Sequence, residues 1–285
     1  MKTGLIMEGG GMRGMFTAGV TDVMMETGIA FDGAVGVSAG AAFGCNYKSK
    51  QIGRAFRYNA KYCADKRYSG IRVLLKEGNL FSREFCYEEL PTKLDPFDFE
   101  TYKQNPMEFY LVCTDVETGK PVYHVYEGWE DHGFEWFRAS TSMPMVSRIV
   151  EIQGQKMLDG GISDSIPVRF FEELGYDRNV VILTQPRGYR KQKNKLFSVM
   201  KLLYRKYPQM VETMAHRHET YNETLDYIHR QEKLGKLLVI CPDGDLNIAR
   251  AEKDPRQLRR VYEIGRQVAE RQLRQIKDYL VGDGR

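Results

Sequence analysis

A chain of 285 residues, 42% hydrophobic and 28% charged, is too long for a disulfide-stapled mini-protein and too apolar for disorder or a collagen-like repeat. Its 42 Lys and Arg against 38 Asp and Glu leave a net charge of +4. That is too mild to argue for nucleic acid, though it permits attraction to an anionic membrane face.

No window approaches the ~18 consecutive apolar residues of a bilayer-spanning helix. Lys2 is followed by a short apolar run that stops at Glu8, without the length or small-residue cleavage site of a secretory signal. The five cysteines (Cys45, Cys63, Cys86, Cys113, Cys241) are odd in number and scattered, with no C-x-x-C pair. They suggest neither zinc nor a redox motif, and free thiols fit a reducing compartment. The expectation is a cytoplasmic protein.

In chain order, residues 3–7 read as a short buried strand, followed by Glu8-Gly9-Gly10-Gly11. A helical pattern runs over 13–26, with Met15, Val20, Val23 and Met24 for a core face, and Gly28 ends it. Residues 34–37 form a second strand, and Ser38 then opens a small-residue helix through Ala39-Gly40-Ala41-Ala42. This βαβα start implies a parallel sheet. Residues 50–105 read as mixed, mostly helical and polar, a cap or insertion. Strands are expected at 109–114 and 121–126, a helix at 134–142, and a hairpin at 148–152 and 156–158 turned through Gln153-Gly154-Gln155. Further strands fall at 180–184 and 237–240, and long helices at 208–234 and 255–281.

The strongest local feature is Gly36-Val37-Ser38-Ala39-Gly40, a G-x-S-x-G at a strand-to-helix junction. A serine at so sharp a turn is lifted clear of the sheet, and side chains two residues before and after would collide. The helix that follows points its positive N-terminus at the serine, where an oxyanion would form. The second feature is Gly9-Gly10-Gly11-Met12-Arg13-Gly14, again between strand and helix. Consecutive glycines bare their N–H groups to an anion, either a phosphate or the oxyanion of acyl transfer, and Arg13 adds positive charge. Gly9, Gly11 and Gly14 also match the dinucleotide pattern G-x-G-x-x-G. That fingerprint wants an acid closing the next strand, whereas Asp32 lies before it.

A hydrolytic serine needs a base. Of five histidines, His216, His218 and His229 sit in a charged helical stretch and read as solvated, and His216-x-His218 faces two ways. His132 is the fifth, and His124 alternates within a strand and could be either buried or exposed. Asp159, at a strand end before Gly160 and Gly161, is the other choice: a carboxylate held beside a serine accepts its proton directly.

A glycine-rich loop, G-x-S-x-G and a later D-G-G, in that order and without a histidine, resemble the patatin-like phospholipase family, closest to its bacterial cytoplasmic members. The resemblance spans roughly residues 4–185. It implies a three-layer α/β/α fold with a mainly parallel sheet and a catalytic core over 1–185; the helical pattern beyond it adds a mostly helical C-terminal region over 186–285 packed on that core as one α/β domain. It implies a Ser38–Asp159 dyad, an oxyanion hole in the loop Gly9–Gly14 near Gly10, Gly11 and Met12, an acyl-ester lipid substrate, and no calcium or other cofactor. Glu8 and Asp164 depart from the family's common residues, and Asp164 is placed to add a second carboxylate near the dyad. A lipid-binding or regulatory protein with little turnover, and a nucleotide-dependent oxidoreductase, are the competing classes.

Residues 187–206 carry Arg187, Arg190, Lys191, Lys193, Lys195, Lys201, Arg205 and Lys206, with Leu196, Val199, Met200 and Leu203 at helical spacing. Two readings stand: an amphipathic segment on an anionic membrane, or a helix with its apolar face in the core.

Overall fold

A computed structural model of the chain describes residues 1–281. Strand β1 (Lys2–Met7) leads through a tight turn into α1 (Gly14–Glu26); β2 (Gly33–Val37) leads into α2 (Ala39–Lys48). Helices α3 (Arg54–Tyr62), α4 (Ile71–Glu77) and α5 (Phe99–Gln104), with a widened helical segment over Phe85–Leu94, fill the next stretch. Then come β3 (Glu108–Asp115), β4 (Pro121–Val125), α6 (Glu135–Ser140), and the hairpin β5 (Val150–Ile152) and β6 (Gln155–Asp159). The chain continues with α7 (Val168–Glu173), β7 (Tyr176–Ile182), α8 (Phe197–Leu203), α9 (Pro208–Lys233), β8 (Leu237–Ile240) and α10 (Pro255–Val281).

The sheet runs β5-β6-β3-β2-β1-β7-β8, with β4 on the far side of β3. Strands β3, β2, β1, β7 and β8 are parallel, and β4, β5 and β6 add an antiparallel edge. Central strands covered on both faces must be apolar throughout, as Leu-Ile-Met of β1 and Val-Val-Ile of β7 are. Alternate residues serve opposite layers. Leu5 and Met7 pack with Met15, Phe16 and Val268 of α1 and α10, whereas Ile6 packs with Phe171, Leu225 and Ile228 of α7 and α9. The fold is thus the expected three-layer α/β/α arrangement.

One register detail positions the site. Val112 of β3 pairs with Val37 of β2, and the next residue, Cys113, pairs with Asp159 of β6. Both residues pair with β4 on the other side. So β6 takes up the edge of β3 where β2 leaves it, and the C-terminal ends of β2 and β6 meet.

Two expectations need correction, and one element was not foreseen. The segment 187–206 is not one helix: α8 covers Phe197–Leu203 alone, and the cations before it lie on irregular chain. The stretch 50–105 is helical but not chiefly polar, since Tyr58, Tyr62, Tyr68, Phe85, Phe97 and Tyr102 are buried in the core. Helix α7, a six-residue element, had no periodic signal of its own.

Candidate active site

Ser38 follows β2 with φ 55° and ψ −121°, a left-handed backbone that costs a non-glycine residue energy. The turn tolerates no side chain on either flank. A Cβ at Gly36 would lie 2.5 Å from backbone atoms of Ala41, and one at Gly40 would lie 2.3 Å from the Met7 carbonyl oxygen. A distant residue braces the turn: Ser38 N–H donates to Ser140 Oγ at 3.0 Å, and Ser140 Oγ–H donates to the Val112 carbonyl at 2.7 Å. No motif in the sequence pointed to Ser140.

Ser38 Oγ–H donates to Asp159 Oδ2 at 2.6 Å. The other carboxylate oxygen accepts from Gly161 N–H at 2.7 Å, and Thr114 Oγ1–H donates to the Asp159 carbonyl at 2.9 Å. Asp159 is buried, and desolvation raises its pKa. The Ser38 hydrogen bond, the Arg217 charge, the Gly161 N–H and the Arg250 charge pull it back down without reversing the shift.

The glycine loop touches this pair. A Cβ at Gly9 would sit 2.9 Å from that of Ser38. Met12 N–H is occupied, donating to the Arg250 carbonyl at 3.2 Å, and Arg13 N–H donates to Gly10 O at 3.4 Å. The Gly10 and Gly11 N–H groups find no acceptor among the described residues. Gly14 begins α1 and packs against Phe43, and Gly160 lies over the Val112 carbonyl.

Glu8 closes the base of the loop. Its carboxylate accepts from Tyr221 Oη–H at 2.6 Å, Thr184 N–H at 2.7 Å and Thr184 Oγ1–H at 3.1 Å. It ties the ends of β1 and β7 to α9, a role that no motif in the sequence pointed to.

The other acids and histidines stand apart. Asp164 accepts from Tyr123 Oη–H at 2.8 Å and Ile166 N–H at 3.2 Å, so it is spent away from the dyad. Asp32 accepts from Thr3 N–H at 2.7 Å, at the opposite end of β1 from the glycine loop. His124 pairs with Asp131 at 2.5 Å and stacks on Trp136. His132 meets Gln153, and His216 pairs with Glu212 and Glu219 in the open. Among the described residues His218 is the one histidine that borders the site, on the wall of its cleft. Among the described residues no cluster of three or more His, Cys, Asp or Glu could hold a metal.

Two cavities meet at Ser38. One, of about 110 Å³, is walled by apolar residues including Ala42, Phe43, Tyr58, Leu90 and Phe137. The other, a cleft of about 600 Å³, holds the dyad and the glycine loop.

A model of the family described as patatin-like phospholipase matches residues 5–171, more than half the chain. The chain belongs to this family. Its broad chemistry is therefore lipid-ester hydrolysis, and in this patatin-like chain the glycine loop, Ser38 and Asp159 line one cleft. Residues 207–281 match a second model, a domain of unknown function (DUF6363). The uncharacterized protein YjjU of Escherichia coli strain K12 is 30% identical over 278 residues, 93% of this chain and 75% of that protein. Lysophospholipase nte1 of Aspergillus terreus is 28% identical over 189 residues, 62% of this chain and 11% of that protein. VipD from Legionella pneumophila aligns with TM-score 0.47 and 11% identity, over 96% of this chain and 67% of that one.

Proposed function

We propose that the protein is a serine hydrolase of lipid acyl esters, of phospholipase A or lysophospholipase type, acting through Ser38 and Asp159. The observation that carries this is the 2.6 Å hydrogen bond from Ser38 Oγ to a buried carboxylate of raised pKa. Burial makes that carboxylate a stronger base than an exposed one, which suits it to take the serine proton.

Ser38 Oγ attacks the ester carbonyl carbon as its proton passes to Asp159 Oδ2. The oxyanion is met by the free N–H groups of Gly10 and Gly11, aided by the N-terminus of α2. Collapse breaks the ester C–O bond, and the leaving alcohol takes the proton from Asp159. Water then attacks the acyl-Ser38 carbonyl, giving one proton to Asp159, and the fatty acid departs as Ser38 is reprotonated. The apolar lining of the first cavity suits the acyl chain. The lysophospholipase name of the fungal relatives supports the substrate class, although the chain spans only 11% of their length.

Residues 1–185 then act as the catalytic core and 186–285 as a region packed on it. The protein works in the cytoplasm with α8 touching an anionic membrane: Leu202 and Leu203 are 64% and 59% exposed. A fluorophosphonate probe followed by peptide mapping tests the mechanism. A single adduct on Ser38 is expected, lost in Ser38→Ala and strongly reduced in Asp159→Ala. Folded protein that takes no label would favour a lipid-binding role without turnover.

A further inference from the structure

The cleft beside the dyad has a charge pattern that ester hydrolysis alone does not require. Five cations line it: Arg13, Arg190, Lys191, Arg217 and Arg250. Among the described residues only Arg190 has an ion-pair partner, Asp226 at 2.5 Å. The remaining four share the cleft with the carboxylates of Glu8 and Asp159, and those are already engaged. Glu8 is spent on Thr184 and Tyr221, and Asp159 on Ser38 and Gly161.

Two of the four have polar atoms that nothing satisfies. The Nε groups of Arg13 and Arg217 are buried without a hydrogen-bond partner. Buried donors left open in this way are rare and call for an acceptor. Lys191 lies 4.1 Å over the Tyr221 ring, with no carboxylate paired to it. Its pKa falls to about 8, first through burial, then through the Arg217 charge, with Arg13 and Arg250 adding to the fall and Glu8 opposing it. Holding like charges together at this depth is costly unless an anion joins them.

The cluster is assembled from separate parts of the chain. Arg13 comes from the glycine loop, Lys191 from the loop after β7, Arg217 from α9 and Arg250 from the loop before α10. Arg217 reaches the dyad itself: a Cβ on Gly161 would lie 3.0 Å from Asp159 Oδ1 and 3.1 Å from Arg217 Nη2. Four cations against two carboxylates leave two positive charges uncompensated, which matches a phosphomonoester dianion.

Resting on the ester-hydrolase reading above, we propose that Arg13, Lys191, Arg217 and Arg250 form a phosphate subsite that selects acyl esters carrying an anionic phosphate next to the scissile bond. The acyl chain occupies the apolar cavity and the phosphate the cationic cleft, with the ester between them at Ser38. Arginine forks and a lysine point charge are the usual donors to phosphate.

The test compares two soluble esters that differ only in phosphate, hexanoyl-glycerol and hexanoyl-glycerol 3-phosphate. Their binding to the full chain carrying Ser38→Ala is measured by calorimetry, with inorganic phosphate as a third ligand. The phosphorylated ester is expected to bind at least about tenfold tighter than the neutral one and tighter than inorganic phosphate. Adding Lys191→Met or Arg250→Met should cut that preference by about tenfold each, and Lys191→Arg should keep most of it. Equal affinity for the two esters would overturn the proposal. Inorganic phosphate binding as tightly as the phosphorylated ester would also overturn it, showing a free-anion site and not a head-group site. Binding needs no turnover, so the two readings fail separately. If the wild-type chain hydrolyses neither ester while the Ser38→Ala protein still prefers the phosphorylated one, the dyad reading falls and the subsite stands.

Discussion

Desolvation and hydrogen bonding pull the Asp159 carboxyl in opposite directions, and desolvation is the larger effect. Its folded pKa therefore lies above the ordinary carboxylate range. The folded state keeps this proton at pH values where the unfolded chain has released it, so stability falls as pH rises from the carboxylate range through the raised value. Ionised Asp159 thus costs stability at neutral pH, where a base is needed. Asp159→Asn should lower kcat/KM by about 10³-fold. At pH 7 it should melt at or above the wild-type temperature, with the difference fading as pH falls toward the carboxylate range. A clearly lower melting point at pH 7 would mean that the carboxylate is held mainly by its hydrogen bonds. The acid limb of kcat/KM should lie above the range of an exposed carboxylate. Arg217→Met should move that limb to higher pH, because the Arg217 charge lowers the Asp159 pKa. An unmoved limb would remove Asp159 as the titrating base.

At the scale of elements, two contacts deserve separate tests. Helices α1 and α10 cross so closely that a Cβ on Gly19 would lie 2.1 Å from the Tyr262 carbonyl oxygen, and one on Gly265 would lie 2.1 Å from that of Phe16. Tyr262 Oη–H donates to Asp22 at 2.7 Å, and Arg266 pairs with Glu26 at 2.8 Å beside them. Gly265→Ala should destabilise the protein by about 1–3 kcal/mol in urea unfolding, because backbone on backbone has no rotamer with which to yield. Helix α8 is the opposite case, since only Met200 is buried and Leu196, Val199, Leu202 and Leu203 face out. Exposed apolar residues grouped beside Lys193, Lys195, Lys201, Arg205 and Lys206 fit an interfacial contact. The pairing of Arg187 with Glu232 and Arg190 with Asp226, and the turn of Lys191 into the cleft, remove three cations from that surface. Leu202→Asp with Leu203→Asp should weaken binding to phosphatidylglycerol vesicles at least tenfold, while stability stays within about 0.5 kcal/mol and soluble-ester hydrolysis is kept. Unaltered vesicle binding would end the membrane role of α8.

For the whole molecule, the question is whether residues 1–185 fold alone. The C-terminal region supplies β8 to the sheet, α9 to one face and α10 to the other. Without them Phe16 and Val23 lose Val261 and Val268, and Phe171 and Val181 lose Leu225 and Ile228. A fragment of residues 1–206 should therefore lack near-ultraviolet circular dichroism and show no cooperative melting. Melting close to that of the full chain would establish an independent core. The Glu8 clamp onto Tyr221 of α9 makes the same point within the site, because the glycine loop is anchored by a residue outside the matched family segment.

The amino-acid sequence by itself determined the local machinery. Both strand–glycine–helix junctions, the hairpin ending at Asp159 and the two long C-terminal helices were legible, because their signals are neighbours in the chain: apolar period, turn residues and caps. The poor setting of the late histidines left Asp159 as the other candidate base, and the family resemblance then implied its pairing with Ser38. Tertiary structure alone decided that Asp159 meets Ser38 across 121 positions, since that depends on β6 succeeding β2 along one edge of β3. It alone revealed Ser140 and the Glu8–Tyr221 clamp. The four cations of the cleft were hidden for the same reason. Surface Arg and Lys are common along any chain, and only packing separates those paired with acids from those gathered around an open space.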